Sequence, residues 1–134
     1  MAEPTRPSQE YIPGVCNIGP AERRRRRLGG IAGTIATLVI LGLLLVSDVS
    51  VWWRLILIIP AAGAATGFLQ DALHFCAGFG MKGIFNVVNS AGITDNVDLE
   101  EFRQKDKRKA LMITLYSVLI GIAVAGLSLL IPSL

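Results

Sequence analysis

The chain reads as an all-α integral membrane protein with three transmembrane helices and a small cytoplasmic-side cap. Two observations lead there. The 134 residues contain three long apolar runs: Leu28–Ser47 is 20 residues without a charge, Val49–Gln70 is 22 with only Arg54, and Ala110–Leu134 is 25 with none. A hydrocarbon layer about 30 Å thick is crossed by about 20 apolar helical residues. The second observation is the placement of the 13 Lys and Arg residues. Arg6 and Arg23 to Arg27 precede the first run, and Lys82, Arg103, Lys105, Lys107, Arg108 and Lys109 separate the second from the third. Basic residues beside membrane helices stay on the cytoplasmic side. With three spans, at about 28–47, 51–70 and 110–131, that rule puts the N-terminus in the cytoplasm, the C-terminus outside and all basic residues but Arg54 within. A fourth span over 72–94 is rejected: Lys82, His74, Asn86, Asn89, Ser90 and four glycines make it a poor lipid-facing helix, and it would export the Arg103–Lys109 cluster.

Residues 1–10 are polar, hold two prolines and lack periodicity, so a disordered tail is expected ahead of one membrane domain, 11–134. The apolar run behind the arginines is longer than a signal-peptide core, so the N-terminal segment is expected to be retained. Tyr11 to Pro20 alternates turn formers with apolar residues and reads as an ordered, non-helical piece. Pro20 suits a first helical turn and Glu22 its dipole, predicting one helix from Pro20 to Ser47. Gly29 and Gly33, Gly63 and Gly67, and Gly121 and Ala125 are small residues four apart, a spacing that lets helix backbones approach closely. Trp52 and Trp53 fall at the outer edge of the second span, where indole rings favour the headgroup layer, and Arg54 is expected to snorkel to the same surface as an interface anchor. Pro60 is expected to bend the second helix near its middle.

Past Gln70 the helix is expected to continue as an amphipathic piece, since Phe68, Ala72, Phe75 and Phe79 recur at helical spacing, until glycines stop it near Phe79–Lys82. Asp98 and Glu101 have capping-box spacing and are expected to start a helix whose charged stem, Glu101–Lys109, is solvated and runs into the third span.

Chemistry has few bearers. Cys16, His74 and Cys76 are the only Cys and His residues. On one cytoplasmic rim, with Asp71, they form a candidate set for zinc or iron. Against it, residues 74 and 76 of a continuous helix point about 200° apart. Cys16, beside a helix start and a run of arginines, is also a candidate thiolate or palmitoylation site. Asp71 beside His74 offers either a proton relay or an interfacial pair. Phosphate-binding glycine loops, nucleophile elbows and HExxH are absent. The five arginines flank a span, which accounts for them without nucleic acid; anionic lipid headgroups are the first expected partner.

Tyr11–Glu22 (YIPGVCNIGPAE) and His74–Asn86 (HFCAGFGMKGIFN) resemble signature segments of a group of small prokaryotic membrane proteins. The resemblance implies that the two segments belong to one cytoplasmic-side structure, and it implies no activity. Three functions are left open: a structural or accessory subunit in a homo-oligomer or larger membrane complex, a metal or thiol redox site at Cys16, His74 and Cys76, or an oligomeric pore or small-solute carrier past Pro60 and the Gly63–Gly67 face.

Overall fold

The computed structural model describes residues 11–87 and 94–132. The tail 1–10 and the polar residues Asn89 and Ser90 lie outside the described residues. Three helical stretches are long and apolar enough to cross a membrane: Pro20–Val46, Val51–Leu73 and Glu100–Ser128.

The first, α1 (Pro20–Val46), has proline in its first turn and Glu22 beside its N-terminus. Its threonines satisfy their own hydroxyls, Thr34 donating to Gly30 O at 2.9 Å and Thr37 to Gly33 O at 2.8 Å. No water is available for that purpose within lipid.

The second stretch is composite. Val51–Leu57 is a 3-10 segment, and α2 (Ile58–Leu73) follows it. Pro60 therefore stands in the first turn of α2 instead of bending a long helix at its middle. It has no N–H for the Ile56 carbonyl four residues back, which suits the tighter winding just before it.

α2 also stops earlier than the aromatic periodicity implies. His74 takes a left-handed conformation, φ 55° and ψ 37°. The N–H of His74 meets Asp71 O at 3.3 Å, and that of Phe75 meets Gln70 O at 3.0 Å. This is a Schellman ending, with histidine where glycine is usual. A short helix α3 (Ala77–Lys82) follows and ends at Gly83, φ 72°. β1 (Ile84–Phe85) then pairs antiparallel with β2 (Asp95–Asn96).

The last helix, α4 (Glu100–Ser128), is preceded by Leu99 and has no side-chain cap, so the Asp98–Glu101 capping box does not form. Glu100 and Glu101 supply the favourable charge at its N-terminus instead. Its buried residues are Asp106, Ala110, Ile113, Ser117, Gly121, Ala125 and Ser128, one stripe at three- and four-residue spacing. A small apolar core of Phe75, Ala77, Ala110 and Ile113 joins that stripe to α3.

Close backbone approach holds α1 to α2. A methyl group at Gly67 would lie 2.5 Å from Gly30 N and 2.6 Å from Arg26 O, and one at Gly33 would lie 2.8 Å from Ala64 N. At Gly121 of α4 it would lie 2.8 Å from Ile58 O, and Ala125 is fully buried. Gly29 and Gly63 differ: a methyl on either meets nothing within 4 Å. The notch on α1 is thus built from Gly30 and Gly33, three residues apart, and Gly29 faces elsewhere.

Candidate functional site

The segments Tyr11–Glu22 and His74–Asn86 meet in one cap. Asn17 N donates to His74 O at 3.1 Å, Asn86 N to Asn17 O at 2.9 Å, and Gly19 N to Asn86 O at 2.8 Å. The side chain of Asn17 adds a second clamp. Its Oδ1 accepts from Cys76 N at 2.6 Å, and its Nδ2 donates to Cys76 O at 3.1 Å. Gln70 Oε1 accepts from Ala77 N at 2.8 Å. The first free N–H groups of α3 are met by side chains from two other parts of the chain.

Asp106 of α4 closes the cap from the far side. Its Oδ2 accepts from Tyr11 Oη at 2.6 Å and its Oδ1 from Gly14 N at 2.7 Å. The Tyr11 ring stacks on Phe85, centroids 4.4 Å apart. Burial first, then the hydrogen bond and the negative charge of Asp106, push the Tyr11 hydroxyl well above the usual phenol range.

An ionic layer lies between the cap and the spans. Glu22, fully buried, is met by Arg26 at 3.0 Å and Arg25 at 3.2 Å. Arg23 Nε meets Asp71 at 3.2 Å, with Arg27 at 3.8 Å. Arg26 also donates from Nη2 to Cys76 Sγ at 3.1 Å and lies over the Phe79 ring, 5.3 Å from its centroid. Such pairing is what allows charges to remain in a dry place.

The candidate metal set does not assemble. Among the described residues no group of three His, Cys, Asp or Glu is placed to hold an ion. Asp71 is committed to two arginines. Cys76 faces a guanidinium, which opposes a cation. Cys16 is a buried thiol that donates to Ile18 O at 3.6 Å. His74 serves as the turn residue at the end of α2. Arg26 gives the Cys76 sulfur a hydrogen-bond donor, and Cys76 is only 5% exposed. Asp71 pairs with Arg23 and Arg27 of α1.

Trp52 and Trp53 are exposed, 66% and 59%. Arg54 is not: at 2% exposure it turns inward, its Nη1 donating to Ser128 O at 2.6 Å and to Ile131 O. It thus caps the C-terminus of α4, where carbonyls lack helical partners and cations are favoured. The expectation of snorkelling is corrected accordingly.

An apolar groove of about 470 Å³ runs between α1, α2 and α4, with Thr37, Ala61, Ala65, Phe68 and Ile120 among its walls. Residues missed at the sequence level are Asn17, Glu22, Gln70, Asn86 and Asp106. Asp106 had a usable signal, since it extends the Ala110–Ile113–Ser117 stripe upward by one turn. No protein-family model, curated protein or solved structure matches the chain.

Proposed function

We propose that this protein is a small structural or accessory membrane subunit that associates with copies of itself or with a larger membrane complex. Its N-terminus and cap lie in the cytoplasm and its C-terminus outside. The observation that carries the reading is a set of unfilled glycines, Gly29 and Gly42 on α1, Gly63 on α2 and Gly126 on α4, with exposed Leu, Ile and Val beside them on α1 and α4. The glycines at Gly30, Gly33, Gly67 and Gly121 are consumed by packing within the chain. Small residues on a lipid-facing surface favour helix association, because lipid gives apolar side chains no reason of their own to meet. The cap's polar groups are directed at one another, which suits a scaffold better than a catalytic cleft.

The orientation rests on the basic residues. The start of α1, the end of α2 and the start of α4 all meet in the cap, so 11 of the 12 basic residues among the described residues share that end. Native mass spectrometry of the complex extracted in mild detergent tests association; a strictly monomeric species counts against it. Tags at the two termini should be reached from opposite faces of sealed vesicles.

A thiol reading keeps one supporting contact, Arg26 to Cys76 Sγ. Iodoacetamide labelling of Cys76 in the folded protein would support it, and labelling only after unfolding would end it. The pore reading has little support. The hydroxyls of Thr34, Thr37, Thr66, Thr114 and Ser128 are directed at carbonyls of their own helices.

A further inference from the structure

We propose that the mouth between the Pro13–Gly14 turn and the upper end of the α4 span is a binding site for an anionic phospholipid, gripped by its phosphate. Lys105, Arg108, Lys109 and Met112 stand at i, i+3, i+4 and i+7, on one face of α4. With Pro13 and Gly14 they enclose a concavity of about 340 Å³. Such a stripe on a bare helix would be only a solvated face. Here the second wall is fixed: Asp106 holds the turn through Gly14 N at 2.7 Å and Tyr11 Oη at 2.6 Å.

The depth matches the ligand. Ala110 begins the uncharged run that enters lipid, and at about 1.5 Å rise per residue Arg108 and Lys109 lie within about 3 Å of that boundary. Phosphates of a bilayer occupy this level, and Met112, one turn further into the span, can receive the start of an acyl chain. The charge also matches. Among the described residues neither Arg108 nor Lys109 has a carboxylate within 4.0 Å, whereas Lys105 shares Glu101 at 3.9 Å. The other nearby carboxylate, Asp106, is fully buried and engaged with Tyr11 and Gly14. Two uncommitted cations favour a headgroup of net negative charge over a zwitterionic one, whose ammonium they would repel. Basic pockets beside membrane helices are suited to such headgroups. This inference is independent of the association reading, since a monomer would carry the same site.

The test is native mass spectrometry of the full-length protein in detergent, titrated with dioleoylphosphatidylglycerol, dioleoylphosphatidylcholine or glycerol 3-phosphate. The wild type should retain one phosphatidylglycerol per chain in preference to phosphatidylcholine. R108Q/K109Q should bind it about thirtyfold more weakly, as expected for two juxtamembrane cations. The charge-keeping swap R108K/K109R should retain binding, and the charge-matched control R24Q/K82Q should stay within about twofold of wild type. Equal retention of the two lipids overturns the proposal, as does unchanged affinity in R108Q/K109Q or an equal loss in the control. Displacement of phosphatidylglycerol by an equal concentration of glycerol 3-phosphate overturns it in favour of a soluble phosphate ligand.

Discussion

The side-chain amide of Asn17 brackets the backbone of Cys76, accepting from its N–H at 2.6 Å and donating to its carbonyl at 3.1 Å. One side chain thus replaces the neighbouring strand that Cys76 lacks, and it fixes the start of α3 against the N-terminal segment. Asn17→Ala strands the buried Cys76 N–H, at about 1–3 kcal/mol, and leaves the Cys76 carbonyl with its Gly80 N–H alone. The detergent-solubilised variant should melt at lower temperature, and Cys76 should label faster with maleimide. Unchanged labelling would mean that the clamp is dispensable.

Arg54 joins the beginning of the second span to the end of the third. Arg54→Met keeps the stem but removes a charged donor to Ser128 O, a bond of about 1.5–3 kcal/mol. A clear fall in melting temperature is expected. A variant as stable as wild type would assign the arginine to the membrane surface after all.

Tyr11 couples the cap to pH. Its folded hydroxyl titrates above the ordinary value of about 10. The folded state therefore holds this proton more tightly than the unfolded state. The resulting stability is complete below about pH 10 and is lost as pH rises from there toward the folded value. Tyr11→Phe should cost about 1.5–3 kcal/mol at neutral pH through loss of the Asp106 bond. It should also flatten the alkaline limb of the stability curve. Parallel limbs in the two proteins, measured from pH 8 to 11.5, would refute the coupling.

Gly67 and Gly63 lie on opposite fates of one helix. Gly67→Leu drives a side chain into the backbone of Gly30 and Arg26; overpacking of this kind costs about 1–3 kcal/mol or more, because the obstacle is main chain. A Cβ at Gly63 meets nothing within 4 Å, so Gly63→Leu should melt like wild type. If association uses that notch, Gly63→Leu should also shift the native mass toward smaller species.

His74 is placed by backbone geometry. Left-handed φ is costly for a residue with a Cβ, by about 1–2 kcal/mol. His74→Gly should retain the cap, with melting equal to or above that of wild type. Collapse of the cap in this variant would show that the imidazole itself is needed.

Much of the fold was legible because membrane burial writes long signals. The run Leu28–Ser47 and the proline at position 20 place α1 to within a residue of Pro20–Val46. The end of α2 was not legible. Phe75 and Phe79 continue the helical period, and no local rule announces a left-handed histidine. The capping box at Asp98 was a false signal, since Leu99 precedes the helix and Glu100 and Glu101 already complement its dipole. The grouping of Tyr11–Glu22 with His74–Asn86 came from the resemblance of the two segments, not from their composition. The residues that bind them together, Asn17 and Asp106, were hidden because their partners lie 59 and 92 or 95 positions away. Cys16, His74 and Cys76 drew notice by chemical rarity, but the chain gives them unrelated surroundings.

Those long separations bear on the order of biogenesis. Tyr11 and Gly14 leave the ribosome more than ninety residues ahead of Asp106, by which time the first two helices are already available for insertion. The leading segment thus has no carboxylate to grasp until the final hydrophobic stretch is nearly at hand. Completion of the cap therefore waits for the segment that leads into the final apolar run, and a nascent chain halted before residue 106 lacks the carboxylate that holds Tyr11 and Gly14.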